Sequence, residues 1–259
     1  MDGMERTMEI NSIERIHKCF SRALPTYNQN AKAQREICQH LISLLPKEKH
    51  FERILEIGCG TGSFTHLLKQ HCITKEWVLN DLCEGCEEWI AKYFPNPNAY
   101  SFYAGNAEFI DFPGKYDLIA SASVFQWMKE PNIFLQRLSK KISSEGVLLF
   151  SSFLPDNLQE VTSITQKGLQ YPCISELYQW LTPLFNLVYI KEDEIILTFK
   201  TPIDVLKHLK STGVTATGNG VWTRGMLNKF SNEYKEKFST TNNNVKLTYH
   251  PVYVLAIKK

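Results

Sequence analysis

The sequence predicts an α/β fold: a mostly parallel sheet with helices on both faces and one antiparallel strand near the C-terminal end. Strand and helix patterns alternate from residue 53 to about residue 153, which is the rhythm of repeated βαβ units. The first of these strands leads directly into a glycine-rich turn, "GCGTG", and a helix pattern follows it. After residue 153 the rhythm changes, and the chain ends on alternating apolar residues.

The individual elements follow from hydrophobic periodicity. The predicted helices of the alternating region and of the segment before it span residues 12–20, 29–45, 62–70, 86–93 and 133–141. The predicted strands span residues 53–57, 77–79, 100–103, 116–121 and 146–153. Further helices are predicted at residues 157–170, 175–181, 202–210 and 223–234. Residues 187–199 are predicted to form one long strand or a hairpin, and residues 245–257 a final strand.

These elements predict four regions. Residues 1–50 form an N-terminal helical lid segment, and residues 51–200 form the core sheet with its helices. Residues 201–244 form a helical cap insertion, and residues 245–259 return to the core as its last strand. Such an insertion is expected to cover the carboxyl ends of the strands, where open α/β sheets bind ligands.

Composition narrows the class of protein. A chain of 259 residues with 43% hydrophobic content can build one substantial core. The formal net charge is only +2, which gives no support to nucleic-acid binding. No apolar run is long enough for a membrane span, and the N-terminus is too charged for a signal peptide. We therefore expect a cytoplasmic protein with no membrane or nucleic-acid partner.

Cysteine usage agrees with a reducing compartment. The seven cysteines are odd in number and sit mostly in helix or strand patterns, which favours free thiols. Cys83 and Cys86 form a C-x-x-C pair, but no second pair is present to complete a structural zinc site. We expect no metal, and a metal or redox role for this pair is the minor alternative.

The glycine-rich turn indicates the type of ligand. Gly58, Gly60 and Gly62 form G-x-G-x-G, with Ser63 where a dinucleotide fingerprint has its third glycine. Glu56 lies two residues earlier, where its charge would repel a pyrophosphate and attract a cation. S-adenosylmethionine (SAM) carries a sulfonium and an ammonium group and no phosphate. Asp81 ends the next strand, as expected for a carboxylate that accepts hydrogen bonds from ribose hydroxyls.

This order of strand, Glu, glycine turn, helix, strand and Asp resembles the class I SAM-dependent methyltransferases. Residues 105–113, "GNAEFIDFP", resemble the segment that wraps the adenine, and residues 116–127, "YDLIASASVFQW", the fourth strand and the helix after it. In two departures, Asn106 replaces the usual Asp, although its oxygen can still accept from the adenine amine, and Ala122 replaces a common Asn. The resemblance implies a Rossmann-like class I methyltransferase sheet with a helical cap, and SAM as cofactor with S-adenosylhomocysteine as product. The implied cofactor contacts are Gln34, Glu56, Gly58, Cys59, Gly60, Gly62, Asp81, Leu82, Asn106, Ala107, Ser121 and Gln126.

Segments outside the core resemble a narrower family. Residues 20–34, 209–227 and 247–259, together with the Gln126-Trp127 pair, are similar to malonyl-acyl-carrier-protein O-methyltransferases. That family moves a methyl group from SAM to the free carboxylate of a malonyl thioester, at the start of the pimelate branch of biotin synthesis. The resemblance implies an acyl-carrier protein bearing malonyl-phosphopantetheine, or malonyl-coenzyme A, as the substrate.

The implied reaction sets what the site must contain. A malonyl carboxylate is already ionised near neutral pH, so no general base is expected. Because the carboxylate and the sulfonium neutralise each other in the transition state, a dry site and an in-line approach favour the reaction. The expected parts are therefore a closing lid, a cationic clamp and a precise SAM site.

Several residues are candidates for these parts. Tyr27 is the predicted lid and catalytic residue, since an aromatic face attracts a sulfonium, and core packing is the alternative. Gln34 is expected to bond SAM or the lid, with a solvated helix face as the alternative. The candidates for holding the malonyl carboxylate are Arg22, Lys210, Arg224, Tyr249 and His250, each of which has a surface or core alternative. Trp127 is expected to form an apolar wall of the substrate site.

An acidic carrier protein also requires a local basic patch. Lys207 and Lys210 share a helix face and, with Arg224 and Lys229, form a candidate dock, with a solvated helix face as the alternative. Two rival functions remain open at this point. A methyltransferase acting on a quinone or a free carboxylic acid would need no carrier protein, and a non-catalytic SAM-binding protein would bind the cofactor without turnover.

Overall fold

The structure, a computed structural model, describes residues 2–214 and 222–259. The helices are α1 (Asp2–Asn30), α2 (Lys32–Ser43), α3 (Ser63–His71), α4 (Cys86–Ile90), α5 (Pro131–Lys141), α6 (Gln159–Thr165), α7 (Ile174–Leu181), α8 (Pro202–Ser211) and α9 (Arg224–Phe238). The strands are β1 (Lys49–Ile57), β2 (Cys72–Asp81), β3 (Tyr100–Ala104), β4 (Tyr116–Ser121), β5 (Ile142–Phe153), β6 (Phe185–Glu192), β7 (Ile195–Phe199), β8 (Val245–Tyr249) and β9 (Pro251–Lys258).

The main sheet has seven strands in the order β3-β2-β1-β4-β5-β9-β6. The first five pair in parallel, and β9 runs antiparallel to both β5 and β6. This arrangement confirms the predicted Rossmann-like fold with an antiparallel C-terminal strand. The strand order reverses between β1 and β4, which makes their carboxyl ends the topological switch point, where sheets of this type bind ligands.

The central strands form because they are apolar on both faces. In β4 every residue except Asp117 is buried, and the last six residues of β5 are all buried. Strands buried on both faces are typical of parallel sheets covered by helices. On α5, Phe134, Leu135 and Leu138 are buried and belong to the main core. The rigid core thus fixes the carboxyl ends of the strands.

The chain divides into two compact units. The larger unit comprises Lys32–Pro155, Gln170–Glu194 and His250–Lys259 and contains the seven-stranded sheet. The smaller unit comprises Met1–Ala31, Asp156–Leu169 and Ile195–Tyr249 and contains the two-stranded sheet of β7 and β8. Helix α2, predicted within the lid segment 1–50, thus belongs to the larger unit, and β7 and β8 belong to the smaller one.

The strands predicted at residues 187–199 and 245–257 are each divided into two strands in the structure. Residues 187–199 do not form one strand or a hairpin, because β6 pairs with β9 and β7 pairs with β8. Residues 245–257 are likewise divided into β8 and β9 at His250. Asp193 breaks the first segment, where its carboxylate accepts from the backbone N–H of Glu194 (2.8 Å). Pro251, which has no backbone N–H, begins the second half of the other segment.

The helices also differ from prediction at their ends. Helix α1 continues through Pro25 to Asn30, whereas the sequence predicted it only to residue 20. Helix α6 is shorter than predicted, ending at Thr165. Residues 215–221, part of the family-like segment 209–227, lie outside the described residues. Across the chain that the structure describes, no helix is both long enough and apolar enough for a bilayer crossing.

Candidate active site

The glycine turn between β1 and α3 is held in a conformation that favours glycine. The φ angles of Gly58, Gly60 and Gly62 are 71°, 52° and 82°, all in the left-handed region. The N–H groups of Gly58 and Cys59 donate to the carbonyl of Asn80, at 2.8 and 2.9 Å, which ties the turn to the end of β2. The turn is therefore fixed from both neighbouring strands.

The three glycines serve different purposes. A Cβ at Gly58 would overlap the Val124 side chain, and one at Gly62 would overlap the ring of Tyr93. Both glycines thus permit close packing within the protein. A Cβ at Gly60 would meet no atom within 4 Å among the described residues. The open side of Gly60 is therefore where a ligand can approach the backbone closely.

Glu56 is a buried carboxyl group at the end of β1. The residue is 1% exposed, and no described residue hydrogen-bonds its Oε2. Burial raises the pKa of this carboxyl from 4.5 to about 8, and the negative charge of Asp81 adds to the shift. A buried acid with one unsatisfied oxygen is costly unless a ligand supplies the missing partner. The Glu56 carboxyl group is therefore suited to bind a cationic ligand.

Asp81, at the end of β2, faces the glycine turn. Its Oδ2 accepts from the N–H of Gly60 at 2.8 Å, and its Oδ1 accepts from the N–H of Cys83 at 2.9 Å. These bonds fix the orientation of the carboxylate. A carboxylate held in this orientation is an acceptor suited to a ligand hydroxyl. The neighbouring Leu82 is half-buried.

The segment after β3 contains an unforeseen anchor. Asn106 Oδ1 accepts from the N–H of Glu108 at 2.9 Å, an Asx turn, and Ala107 is buried in the core. Glu108 Oε1 in turn accepts from the N–H groups of Lys129 and Glu130, at 3.0 and 3.1 Å. Glu108 thus ties the segment to the start of α5. Its long-range contacts left no signal in the sequence.

The end of β4 carries polar groups at the switch point. The buried Ser121 hydroxyl donates to the carbonyl of Ile57 at 2.9 Å and fastens β4 to β1. Ser123 has a left-handed φ of 58°, and its N–H donates to Ser151 Oγ at 2.9 Å. Gln126 Nε2 donates to the Ser123 carbonyl at 2.6 Å. Sequence reasoning missed Ser123 and Ser151, because a positive φ in serine cannot be recognised from residue type.

Two polar atoms of the turn after β4 have no hydrogen-bond partner in the described chain. Ser123 Oγ and Gln126 Oε1 are buried and make no hydrogen bond within the described chain. Strained backbone and unsatisfied polar atoms cluster at functional sites more often than elsewhere. Val124, between them, packs against Gly58, so this turn lies beside the glycine turn. The two turns together form the candidate cofactor site of the larger unit.

Three other predicted residues belong to the larger unit. Gln34 is buried on α2, which excludes the solvated-face alternative, and its Oε1 makes no hydrogen bond to any residue the structure describes. Trp127 is half-buried in a 3-10 turn, Phe125–Trp127. His250 Nε2 lies 2.9 Å from Glu192 Oε2. The His250 ring is thus engaged by a carboxylate of its own unit.

The remaining predicted residues belong to the smaller unit. Tyr27 is half-buried near the end of α1, and its carbonyl accepts from the N–H of Ala31 at 2.8 Å. Tyr249 is 1% exposed, and its hydroxyl lies 2.8 Å from Nε2 of the buried His208. That pairing occupies the hydroxyl proposed as a donor to substrate. The five cationic candidates of this unit, all at least partly exposed, are Arg22, Lys207, Lys210, Arg224 and Lys229.

The cysteines remain thiols. None of the seven is in a disulfide, and Cys83 and Cys86 are each 1% exposed at the start of α4. Within residues 2–214 and 222–259, no group of three or more His, Cys, Asp or Glu side chains is arranged to hold a metal ion.

The sheet order, the glycine turn and the two strand-end acids define the class of SAM-dependent methyltransferases. A family model described as a methyltransferase domain matches residues 29–192. The solved structure of a putative methyltransferase from Bacillus halodurans superposes with a TM-score of 0.63 at 15% identity, over 85% of this chain and 98% of the other. The N-methyltransferase NodS from Bradyrhizobium japonicum, solved with S-adenosylhomocysteine, gives a TM-score of 0.54 at 13% identity, over 94% and 98% of the two chains. At these identities the likeness shows the fold.

Sequence relatives define the family more narrowly. A malonyl-[acyl-carrier protein] O-methyltransferase from Porphyromonas gingivalis is 46% identical over 252 residues, 96% of each chain. One of the same name from Haemophilus influenzae is 39% identical over 93% of each chain. The chain belongs to the malonyl-[acyl-carrier protein] O-methyltransferase family.

Proposed function

We propose that this protein transfers a methyl group from SAM to the free carboxylate of malonyl-acyl-carrier protein, which gives the malonyl methyl ester and S-adenosylhomocysteine. The observation that carries the proposal is the 46% identity to a relative of that name across 96% of both chains. The similarity extends through both units, so it includes the segments outside the methyltransferase core. The ester is the starting unit for pimeloyl and biotin synthesis in the reaction that the family resemblance implies.

The residues of the larger unit fit SAM. Glu56 presents a buried oxygen that lacks a partner, which suits a cationic group, and Gly60 leaves an open approach to the backbone. Asp81 is a carboxylate suited to accept from ribose hydroxyls, and two backbone N–H groups hold it in place. Bound SAM supplies a methyl group on a cationic sulfur. The other proposed contacts are Gln34, Gly58, Cys59, Gly62, Leu82, Asn106, Ala107, Ser121 and Gln126.

The protein's part in the reaction is positioning and exclusion of water. A malonyl carboxylate is ionised at neutral pH, so no residue needs to remove a proton. Water would stabilise the separated charges more than the transition state, so a closed site accelerates the transfer. We assign Tyr27 to the lid, where its aromatic face attracts the sulfonium. Trp127 supplies an apolar wall.

The carboxylate of the substrate needs a cationic partner. Arg22, Lys210 and Arg224 are cations of the smaller unit that are at least partly exposed, and they are the proposed partners. Of these residue types, an Arg can bind a carboxylate through two parallel hydrogen bonds. Tyr249 and His250 are weaker candidates, because His208 engages the Tyr249 hydroxyl and Glu192 engages Nε2 of His250.

The proposed partner is an acyl-carrier protein, with malonyl-coenzyme A as the carrier-free analogue of the substrate. The reaction involves no metal, nucleic acid or membrane, and we assign it to the cytoplasm. These assignments follow from the methyl transfer proposed above.

Mass spectrometry of malonyl-acyl-carrier protein after incubation with the protein and SAM tests the proposal. We expect the mass of one methyl group to be added, and no addition when acetyl replaces malonyl on the carrier. The Asp81→Ala variant is the matched control for cofactor dependence. Intact SAM binding without methylation would refute the proposed substrate and favour a quinone or free-acid methyltransferase, or a non-catalytic SAM-binding protein.

A further inference from the structure

The start of α9 exposes two large apolar side chains. Trp222 is 39% exposed and Met226 is 49% exposed, four residues apart. The Trp222 ring packs edge-on against the buried Phe230, with ring centroids 5.2 Å apart, so the indole is held in place. The Thr223 hydroxyl accepts from the N–H of Met226 at 3.3 Å and caps the helix. Single exposed apolar side chains are ordinary on protein surfaces, so Trp222 and Met226 are informative only together with the charges of the same helix.

The first half of α9 also carries two cations. Arg224 and Lys229 are exposed, and no acidic residue lies in the first turn of α9. Arg224 makes no ion pair with any residue the structure describes. Further along the helix the charges compensate each other, since Lys237 pairs with Glu233 at 2.8 Å. The basic character of α9 is therefore concentrated where its apolar side chains are exposed.

Helix α8 contributes less unpaired positive charge than α9 does. Lys207 and Lys210 are exposed on α8, but Lys207 Nζ lies 3.0 Å from Asp204 Oδ1 in an ion pair. That pairing offsets the charge of Lys207. The observations therefore favour α9 over α8 as the centre of a docking surface for an acidic partner.

We propose that Trp222, Arg224, Met226 and Lys229, named here the α9 surface, form the docking site for the acyl-carrier protein. The inference rests on the proposed function, which supplies the partner. Trp, Met and Arg are enriched in protein interfaces, and a few such residues dominate binding energy. The carrier is an acidic protein, so its carboxylates complement Arg224 and Lys229 while Trp222 and Met226 lose their contact with water.

Two substrates with the same acyl group separate docking from chemistry. Malonyl-acyl-carrier protein presents the carrier surface, whereas malonyl-coenzyme A presents the same malonyl thioester without it. For Trp222→Ala we expect the KM for the carrier substrate to rise about 10-fold, the effect of removing a strong interface residue. The KM and kcat for malonyl-coenzyme A should stay within about twofold of those of the original chain, because this substrate lacks the carrier protein that the α9 surface binds. Ile196→Ala is the matched control, an apolar side chain of the smaller unit that is 52% exposed.

A charge-reversal substitution tests the electrostatic contribution to docking. Lys229→Glu should raise the KM for the carrier substrate and flatten its dependence on salt. Lys235→Glu is the control, because it makes the same change at an exposed position of the same helix. Titration calorimetry with malonyl-acyl-carrier protein reports binding directly, so docking remains measurable even if no methyl group is transferred.

The outcomes are distinct. Loss confined to the carrier substrate, with both controls unaffected, supports the α9 surface. An equal loss with both substrates, or no loss with either, overturns it. If Trp222→Ala instead converts a dimer into a monomer and leaves carrier binding unchanged, the surface binds a second copy of this chain. Carrier binding through the α9 surface without methylation would refute the proposed function and leave the docking site standing.

Discussion

Replacing Glu56 with glutamine keeps the side chain's size and removes its charge, and it should stabilise the ligand-free protein. The carboxyl has a pKa of about 8 in the folded chain against 4.5 ordinarily. Between these values the folded chain holds a proton that the unfolded chain has released. Folding then takes up a proton, so stability falls as pH rises from about 4.5 to about 8. The effect is absent below this window and complete above it.

The size of the effect follows from the pKa difference. One pKa unit corresponds to about 1.4 kcal/mol, so the ionisable group costs about 3 kcal/mol at pH 7 and about 5 kcal/mol above pH 8. The amide of the Glu56→Gln variant does not titrate in this range. We therefore expect the variant to match the original chain near pH 4.5 and to exceed its stability by about 3 kcal/mol at pH 7. For a chain of this size that is a rise of roughly 6–12 °C in Tm.

Urea unfolding at pH 5 and pH 8, without ligand, measures this difference. Glu52→Gln is the matched control, since Glu52 is an exposed acid on the same strand and should change stability little at either pH. A Glu56→Gln variant that is less stable at pH 8, or that keeps the original dependence on pH, would refute the assignment of an unsatisfied buried acid.

The same group should couple SAM binding to proton release. A bound cation favours the ionised carboxylate, so the original chain should release a proton at pH 7 on binding SAM, and Glu56→Gln should bind more weakly and release none. Titration calorimetry in buffers of different ionisation enthalpy counts the proton. Equal proton release by the two chains would contradict this role for Glu56.

Three further substitutions test other parts of the site. Asp81→Ala should weaken SAM binding by about 1–3 kcal/mol, as for a lost hydrogen bond to a charged group, and unchanged calorimetric affinity would rule out the ribose contact. Tyr27→Phe should keep SAM affinity and lower kcat if the hydroxyl helps hold the lid or the carboxylate, whereas equal turnover would reduce Tyr27 to packing. Gly62→Ala should lower the free energy of unfolding by about 1–3 kcal/mol, because its Cβ would overlap Tyr93 in a left-handed backbone. Gly60→Ala, with the same backbone preference and open space, should cost less in urea unfolding, and an equal loss would contradict the packing argument.

The parallel core could be predicted because its signals are local. The strand before the glycine turn, the turn itself and Asp81 lie close together in the chain, and each position has one dominant physical reason for its residue type. The antiparallel region offered no comparable signal. Residues 187–199 and 245–257 each contain a local break, the charged run 191–194 and Pro251, but the sequence does not reveal which strand each half pairs with.

The site shows the same limit. Glu56 and Asp81 are recognisable because their positions relative to strand ends are fixed by the motif. Glu108 and Ser123 are not, since their importance depends on long-range hydrogen bonds and on a left-handed backbone angle. Tyr249 illustrates the converse limit. An alternating strand does not reveal that the Tyr249 hydroxyl meets His208, so the sequence could not rank Tyr249 below the other substrate candidates.

Three of the unsatisfied groups of the larger unit, at Glu56, Ser123 and Gln126, have a common explanation. Glu56 Oε2 and Gln126 Oε1 are buried without a partner in the described chain, and Ser123 adds backbone strain beside them. Each lowers the stability of the folded protein, and all belong to the ends of β1 and β4 or the turn that follows. A chain that keeps such groups at one place gains from them when a ligand is bound, because the ligand supplies the missing partners. The fold is shared with methyltransferases at 13–15% identity, so it does not set the substrate. We therefore propose that the cofactor binds at the strand ends of the larger unit and that the exposed residues of α9 recognise the carrier.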